Sequence, residues 1–259
     1  MNVRVWQDEV DSARSGTKIF EALQGIKVMG ITQSFPLLLC LLANRKKIGM
    51  DLSGVFKTIE NFHFVYSAVC KQPGNKVEKL YFQTCKKIQK SLVLNSHSKI
   101  LGGVKSALDE FKNNLEVPNR SFFIEKFMDI EYTNSSLVVY ILSSIEKVKS
   151  DTDEQIINFS KVNIEHILPK SPGEWNLTKR DIKDYVDNLG NLTLISEKIN
   201  GSMGNQSLEK KLDWFKKSTL RLNKELVNKI EISKRWGREE IDDRQREIAE
   251  FAHDVVWRI

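Results

Sequence analysis

VNIEHILPKSP, residues 162–172, sets an acid and a histidine side by side where a short apolar run ends, three residues before a proline. Val162 and Ile164 alternate with polar neighbours, the period-2 pattern of a half-buried strand. Pro169 has no N–H to give to a ladder, so this strand does not continue as a paired central one. Glu165 and His166 therefore fall at a strand end, where a rigid scaffold hands side chains to a site. The plain alternative for this window is a satisfied structural histidine with Glu165 turned to solvent.

Downstream, the irregular run SPGEWNLTKRDIKDYVDN leads to a second short apolar piece, LGNLTLIS, and then to the turn-rich EKINGSMGNQ. A long helix is expected from Ser207 through Lys229, and a closing one from Glu239 to Arg258. The order is strand, loop, strand, helix. Upstream, SDTDEQ at 150–155 marks a change of character, and the first 150 residues read as successive amphipathic helices. These are expected over Thr17–Met29, Thr32–Lys47 ended by Gly49, Asp51–Lys71, Val77–Leu92, His97–Leu115, Arg120–Ile130 and Ser135–Lys149. Leu52, Val55, Phe56, Ile59, Phe62, Val65 and Tyr66 recur at three- and four-residue steps, a stripe that faces a core and carries no chemistry.

At 259 residues the chain has room for one large domain or two smaller ones, each with its own core. The longest apolar run, Phe35–Ala43, is about half of a membrane span and contains Pro36, and the N-terminus lacks a secretion pattern; a cytoplasmic protein is expected. Cys40, Cys70 and Cys85 are odd in number and widely spaced, which argues against a disulfide framework and a cysteine zinc site. A bound metal would have to be held by oxygen and imidazole. The net charge of +6 permits a polyanionic partner. Residues 1–150 hold 21 Lys/Arg against 14 Asp/Glu, and 151–259 hold 19 against 20, so the excess lies away from the candidate site. With neither a phosphate-binding loop nor a dinucleotide fingerprint, nucleotide hydrolysis and hydride transfer are not expected.

Glu165-His166, Asn191 within LGNLTL, and Asn200 nine positions later resemble the HNH, or ββα-metal, nuclease pattern. The wording IEHILP, then LGNLTL, then INGSMGNQSLEKK is similar to the C-terminal nuclease domain of the GmrSD group of modification-dependent restriction proteins, which includes phosphorothioate-sensing antiphage proteins. The likeness runs from about residue 160 to 215 and extends to the closing RWGREEIDDRQREIAEFAHDVVW. It implies a mainly α fold, with an N-terminal helical bundle over 1–150 and, over 151–259, a ββα-metal finger with C-terminal helices. The implied activity is metal-dependent endonucleolytic cleavage of DNA with little sequence preference.

Phosphodiester hydrolysis near neutral pH calls for a group able to take a proton from water, and a histidine, with its pKa near 6.5, suits that role. His166 is the expected general base. The motif match implies Asn200 and Glu165 as ligands of a divalent cation, Mg²⁺ or Mn²⁺, with Glu165 in a slot that often holds Asp. Asn191 would hold the loop carrying His166, or orient the imidazole, through its amide. Asn205, Lys210 and Lys211 match positions expected to contact DNA. Trp175 and Tyr185 are read as packing residues, and His63, His97 and His253 as structural or exposed.

Proteins of the resembled group carry a large N-terminal domain that senses modified DNA and hydrolyses nucleotide, and nothing in this sequence matches it. The resemblance thus implies DNA as partner, and a nucleotide-hydrolysing sensor either in the same full-length protein or in a second chain; no membrane is implied. An isolated C-terminal piece is the expected reading of a chain that opens directly in helical material. Two rival classes are a non-catalytic helical adaptor or DNA-binding module, and an HNH-type ribonuclease toxin.

Overall fold

A computed structural model of the chain describes residues 18–130, 132–150, 162–196 and 204–259. The fold is mainly α, with one two-stranded sheet among the described residues. It divides at Asn119/Arg120 into two compact units. The change of composition at 150/151 lies inside the second unit, which takes in two helices that the sequence reading assigns to the first region.

The first unit contains α1 (Lys18–Val28), α2 (Phe35–Ala43), α3 (Ser53–His63), α4 (Gly74–Leu92) and α5 (His97–Asn113). The stripe expected from Leu52 to Tyr66 is the buried face of α3 and of the π-helical turn Phe64–Val69 that continues it. The helix expected over Thr32–Lys47 is interrupted at Asn44, whose side-chain amide donates to the Cys40 carbonyl at 2.8 Å, a local bond that competes with the helical ladder. A short turn, Arg45–Ile48, follows and closes on Gly49 in the left-handed region. His63 is buried between the Tyr81 hydroxyl at 2.8 Å and the Ser67 hydroxyl at 2.9 Å. Burial pushes its pKa down to about 4, so the ring is a neutral structural group at physiological pH.

The second unit runs α6 (Arg120–Met128), α7 (Ser135–Lys149), β1 (Val162–His166), β2 (Leu192–Ser196), α8 (Leu208–Lys216), α9 (Arg221–Ser233) and α10 (Arg238–Phe251). The strands pair antiparallel, with Val162 opposite Ser196 and His166 opposite Leu192. Two strands alone are marginal in water. Here α7 and α9 pack on them, and α10 packs on the 3₁₀ turn Leu189–Asn191 that leads into β2. Asn223 of α9 covers β2: its amide donates to the Leu194 carbonyl at 2.8 Å and accepts from the Thr193 hydroxyl at 2.5 Å. Trp175 and Tyr185 pack into the core of this unit, and the Trp175 indole donates to the Gln206 carbonyl at 2.9 Å.

The helix expected from Ser207 through Lys229 is in fact two, α8 and α9. The break has a distant cause. Glu146 of α7 is fully buried, and its carboxylate accepts the backbone N–H groups of Arg221 at 2.7 Å and Leu222 at 2.9 Å. A carboxylate so placed satisfies the unpaired donors of a helix N-terminus and complements its dipole. Ser218 reinforces the break, its hydroxyl accepting from the Asn223 amide at 2.8 Å.

At Gly190, in the turn that leads into β2, the backbone of α10 comes very close. A Cβ there would lie 2.0 Å from the Ile241 carbonyl oxygen and 3.0 Å from the Gln245 nitrogen, both backbone atoms. Gly190→Ala is expected to destabilise the second unit by about 3 kcal/mol, the upper range for overpacking against atoms that cannot swing aside. Urea unfolding followed by tryptophan fluorescence checks this, because Trp175, Trp214, Trp236 and Trp257 all lie in that unit. An unchanged midpoint would show that α10 can recede.

Candidate active site at the end of the first strand

Past His166 the chain leaves the sheet and must find hydrogen-bond partners for a buried, irregular backbone. Asn191 supplies them. Its amide nitrogen donates to the carbonyls of Leu168 at 2.9 Å and Val186 at 2.8 Å, and its oxygen accepts from the Leu168 N–H at 2.8 Å and the Trp236 indole at 3.2 Å. Two donors and two acceptor positions are the whole capacity of the side chain. The Asn191 carbonyl also accepts from the Ile167 N–H at 2.9 Å. Asn191 is fully buried and fastens the segment that follows His166, and its amide is committed to these groups and not to the imidazole.

The imidazole is held by a residue that sequence reasoning missed. His166 Nε2 lies 2.9 Å from Oδ1 of Asp187, in the irregular segment just before the Leu189–Asn191 turn. The Lys170 ammonium reaches the same oxygen at 2.8 Å. Burial works against the charged form of Asp187, but Lys170 and His166 outweigh it and hold the carboxyl below its ordinary pKa. Burial likewise lowers the pKa of the His166 ring, and Asp187 only partly opposes this. Ring and carboxylate are both part-exposed, with 23% and 29% of their side chains open, so solvent reaches the pair. Among the described residues His166 Nδ1 makes no hydrogen bond. Asp187 belongs to no periodic pattern and stands 21 positions from His166, so nothing in the sequence signals the pairing.

Glu165 points the other way, as alternation along a strand requires. Rather than facing solvent, it is buried, and its Oε1 accepts from the Lys211 ammonium at 2.6 Å. The same ammonium donates to the His166 carbonyl at 2.6 Å. The Lys211 side chain is 1% exposed. Lys211, expected on a helix surface against DNA phosphate, is therefore an internal counter-ion: it sits on the inner face of α8, and burial pulls its pKa down against the attraction of Glu165. Its neighbour Lys210 is exposed and pairs with Glu174 at 3.3 Å. Asn205 is exposed in the turn before α8.

Asn200 lies outside the described residues. Among the described residues no group of three or more His, Cys, Asp and Glu side chains could hold a metal. Mg²⁺ needs fewer: one or two carboxylates with retained waters suffice, and Glu165 is a hard oxygen donor whose Oε2 makes no hydrogen bond among the described residues. Glu165, however, is spent on the buried Lys211 ammonium and turned to the face of β1 opposite the His166 ring, so the described residues do not assemble an ion site beside the imidazole. Among the described residues no helix is long and apolar enough to cross a membrane.

The Glu165–Lys211 pair gives a direct expectation. Lys211→Met leaves a buried carboxylate without its counter-ion and should destabilise the second unit by about 3–5 kcal/mol, whereas Glu165→Leu with Lys211→Met should recover most of that loss. A double-mutant cycle by urea unfolding measures the coupling. Additive single effects would show that the two groups do not interact in solution.

The family described as GmrSD restriction endonucleases, C-terminal domain, matches residues 117–251 of the chain. That span begins beside the division between the two units and ends at the last residue of α10. Comparison with curated proteins and with solved structures returns no match.

Proposed function

The chain belongs to the family of GmrSD restriction endonuclease C-terminal domains, and we propose on that footing that its second unit hydrolyses phosphodiester bonds in DNA as part of a restriction system. One observation carries the reading: at the end of β1 a part-exposed imidazole is gripped through one nitrogen by Asp187, while its backbone is fixed by Lys211 and by the segment that Asn191 fastens. A general base needs a proton-accepting nitrogen, access to water and a fixed position.

In this reading His166 takes a proton from the attacking water. The water oxygen bonds to phosphorus, the bond to the 3′ oxygen breaks, and that oxygen leaves with a proton from solvent. A divalent ion, Mg²⁺ or Mn²⁺, bound with Asn200 among its ligands would supply charge neutralisation at the scissile phosphate and the departing oxygen, and Glu165, paired with Lys211 on the other face of β1, would not ligate it. Asn191 acts as a positioning residue. Lys210 and Asn205, exposed at the start of α8, would touch the phosphate backbone, contacts that place DNA without reading its sequence. Choice of target would then rest with a nucleotide-hydrolysing sensor, in the same protein or in a second chain, working in the cytoplasm.

Supercoiled plasmid incubated with the full chain and Mg²⁺ is expected to be nicked or linearised, and EDTA should stop the reaction. His166→Ala should lower the rate by about 10²–10⁴-fold, the usual worth of a positioned base. Raising salt should weaken DNA binding steeply. Cleavage of RNA alone would point to a ribonuclease, and inertness of the folded chain toward both nucleic acids would overturn the reading.

A further inference from the structure

We infer that Asp187 is a positioning residue that fixes neutral His166 as its Nε2–H tautomer, so that Nδ1 is the nitrogen that accepts the proton from water. This deepens the nuclease reading and rests on it for the role of His166. The geometry is a 2.9 Å contact between His166 Nε2 and Asp187 Oδ1. An ionised carboxylate only accepts, so the ring nitrogen facing it must carry the hydrogen. The other tautomer would set a nitrogen lone pair against a carboxylate oxygen.

Asp187 is itself held. Its carbonyl accepts from the Tyr132 N–H at 3.2 Å, and the Lys170 ammonium lies 2.8 Å from the oxygen that meets the ring. Two lone pairs on Oδ1 receive these two donors. Asn191, the amide expected from sequence as a possible orienter of the ring, spends its four hydrogen-bonding positions on backbone groups and Trp236. Glu165 is turned to the opposite face and paired with Lys211. Among the described residues Asp187 is thus the one group bonded to the His166 ring. A ring tied at Nε2 presents Nδ1 in a fixed direction, which is what a base acting on one water requires.

The test reads the ring directly. Long-range ¹H–¹⁵N spectra of the full chain, with His166 assigned through His166→Ala, should show a protonated Nε2 and an unprotonated Nδ1 when the ring is neutral. Asp187→Ala should abolish that preference and lower kcat for plasmid cleavage by about 10–100-fold, the usual effect of losing a histidine's orienting partner, with KM little changed. Asp187→Asn, whose amide oxygen can still accept from both His166 and Lys170, should keep the tautomer and more of the rate. A wild-type ring protonated at Nδ1, or a ring spectrum unmoved by Asp187→Ala, would overturn the inference. Spectra as expected from a chain that cleaves no nucleic acid would instead overturn the nuclease reading, leaving the hold of Asp187 on the ring established.

Discussion

A buried stretch of chain without regular structure has to be supplied with hydrogen bonds by side chains, and everything at the candidate site depends on how this is done for residues 186–192. Asp187 and Asn188 are part-exposed, but from Leu189 to Leu192 the chain is buried, and an unpaired amide or carbonyl there would carry a penalty of about 1–3 kcal/mol. Asn191 serves both sides of the crossing between the segment after β1 and the segment before β2. Arg244 of α10 donates to the carbonyls of Gly190 at 2.6 Å and Leu192 at 2.8 Å. Gln245 accepts from the Gly190 N–H at 3.0 Å and donates to the Met128 carbonyl at 3.1 Å, linking the same turn to the end of α6. Gly190 lacks a side chain because α10 must come this close. The small sheet is thereby made part of the helical body, and its strand ends acquire the rigidity that a reactive side chain needs.

Charge is arranged in a pair and a trio on opposite faces of β1. Glu165 with Lys211 is buried, and Asp187 with Lys170 and His166 is part-exposed. Burying an ion pair yields little net stability, since the loss of hydration offsets most of the attraction. Position is what the Lys211 ammonium supplies, because it bonds at once to the Glu165 carboxylate and to the His166 carbonyl and so ties α8 to the last residue of the strand. The part-exposed group obeys a different balance: solvent screens it, and Lys170, 59% exposed, can leave at small cost without unseating the ring from Asp187.

Periodicity made most of the elements legible. The apolar stripe of α3, the capped helix over Ser135–Lys149 and the alternation around Ile164 are local patterns, and the proline after the strand and the glycine after Ile48 are local stops. Three features were not legible, and all depend on residues far apart in the chain. The break between α8 and α9 is set by Glu146, 75 positions before Arg221. The burial of Lys211 follows from which face of α8 meets the strand, which two adjacent lysines do not reveal. Asp187 sits between the buried Val186 and Leu189, off the apolar pattern of its segment and with no mark of its own. The extent of the second unit belongs with these: α6 and α7 have apolar stripes like those before them, and only packing assigns α6 to α10 and α7 to the strands. Within the site, His166, Glu165 and Asn191 stood out because they border a strand; Asp187, which holds the ring, did not, and Lys211 stood out only as a candidate DNA contact.

His166 is secured by two routes that share no atoms. Its backbone is fixed by the Lys211 ammonium at its own carbonyl and, one residue on, by the Asn191 carbonyl at the Ile167 N–H. The ring is fixed by Asp187. The first route sets where the Cα–Cβ bond points, and the second sets the remaining rotation and the location of the ring proton. Either alone would leave the imidazole free to move. Disturbance of α10 reaches His166 through the buried turn and the segment before it that carries Asp187, while a change confined to the Asp187 carboxylate acts on the ring. The two holds are therefore of different kinds: deeply buried amides and an ammonium fix the backbone at this strand end, and a solvent-accessible carboxylate fixes the ring.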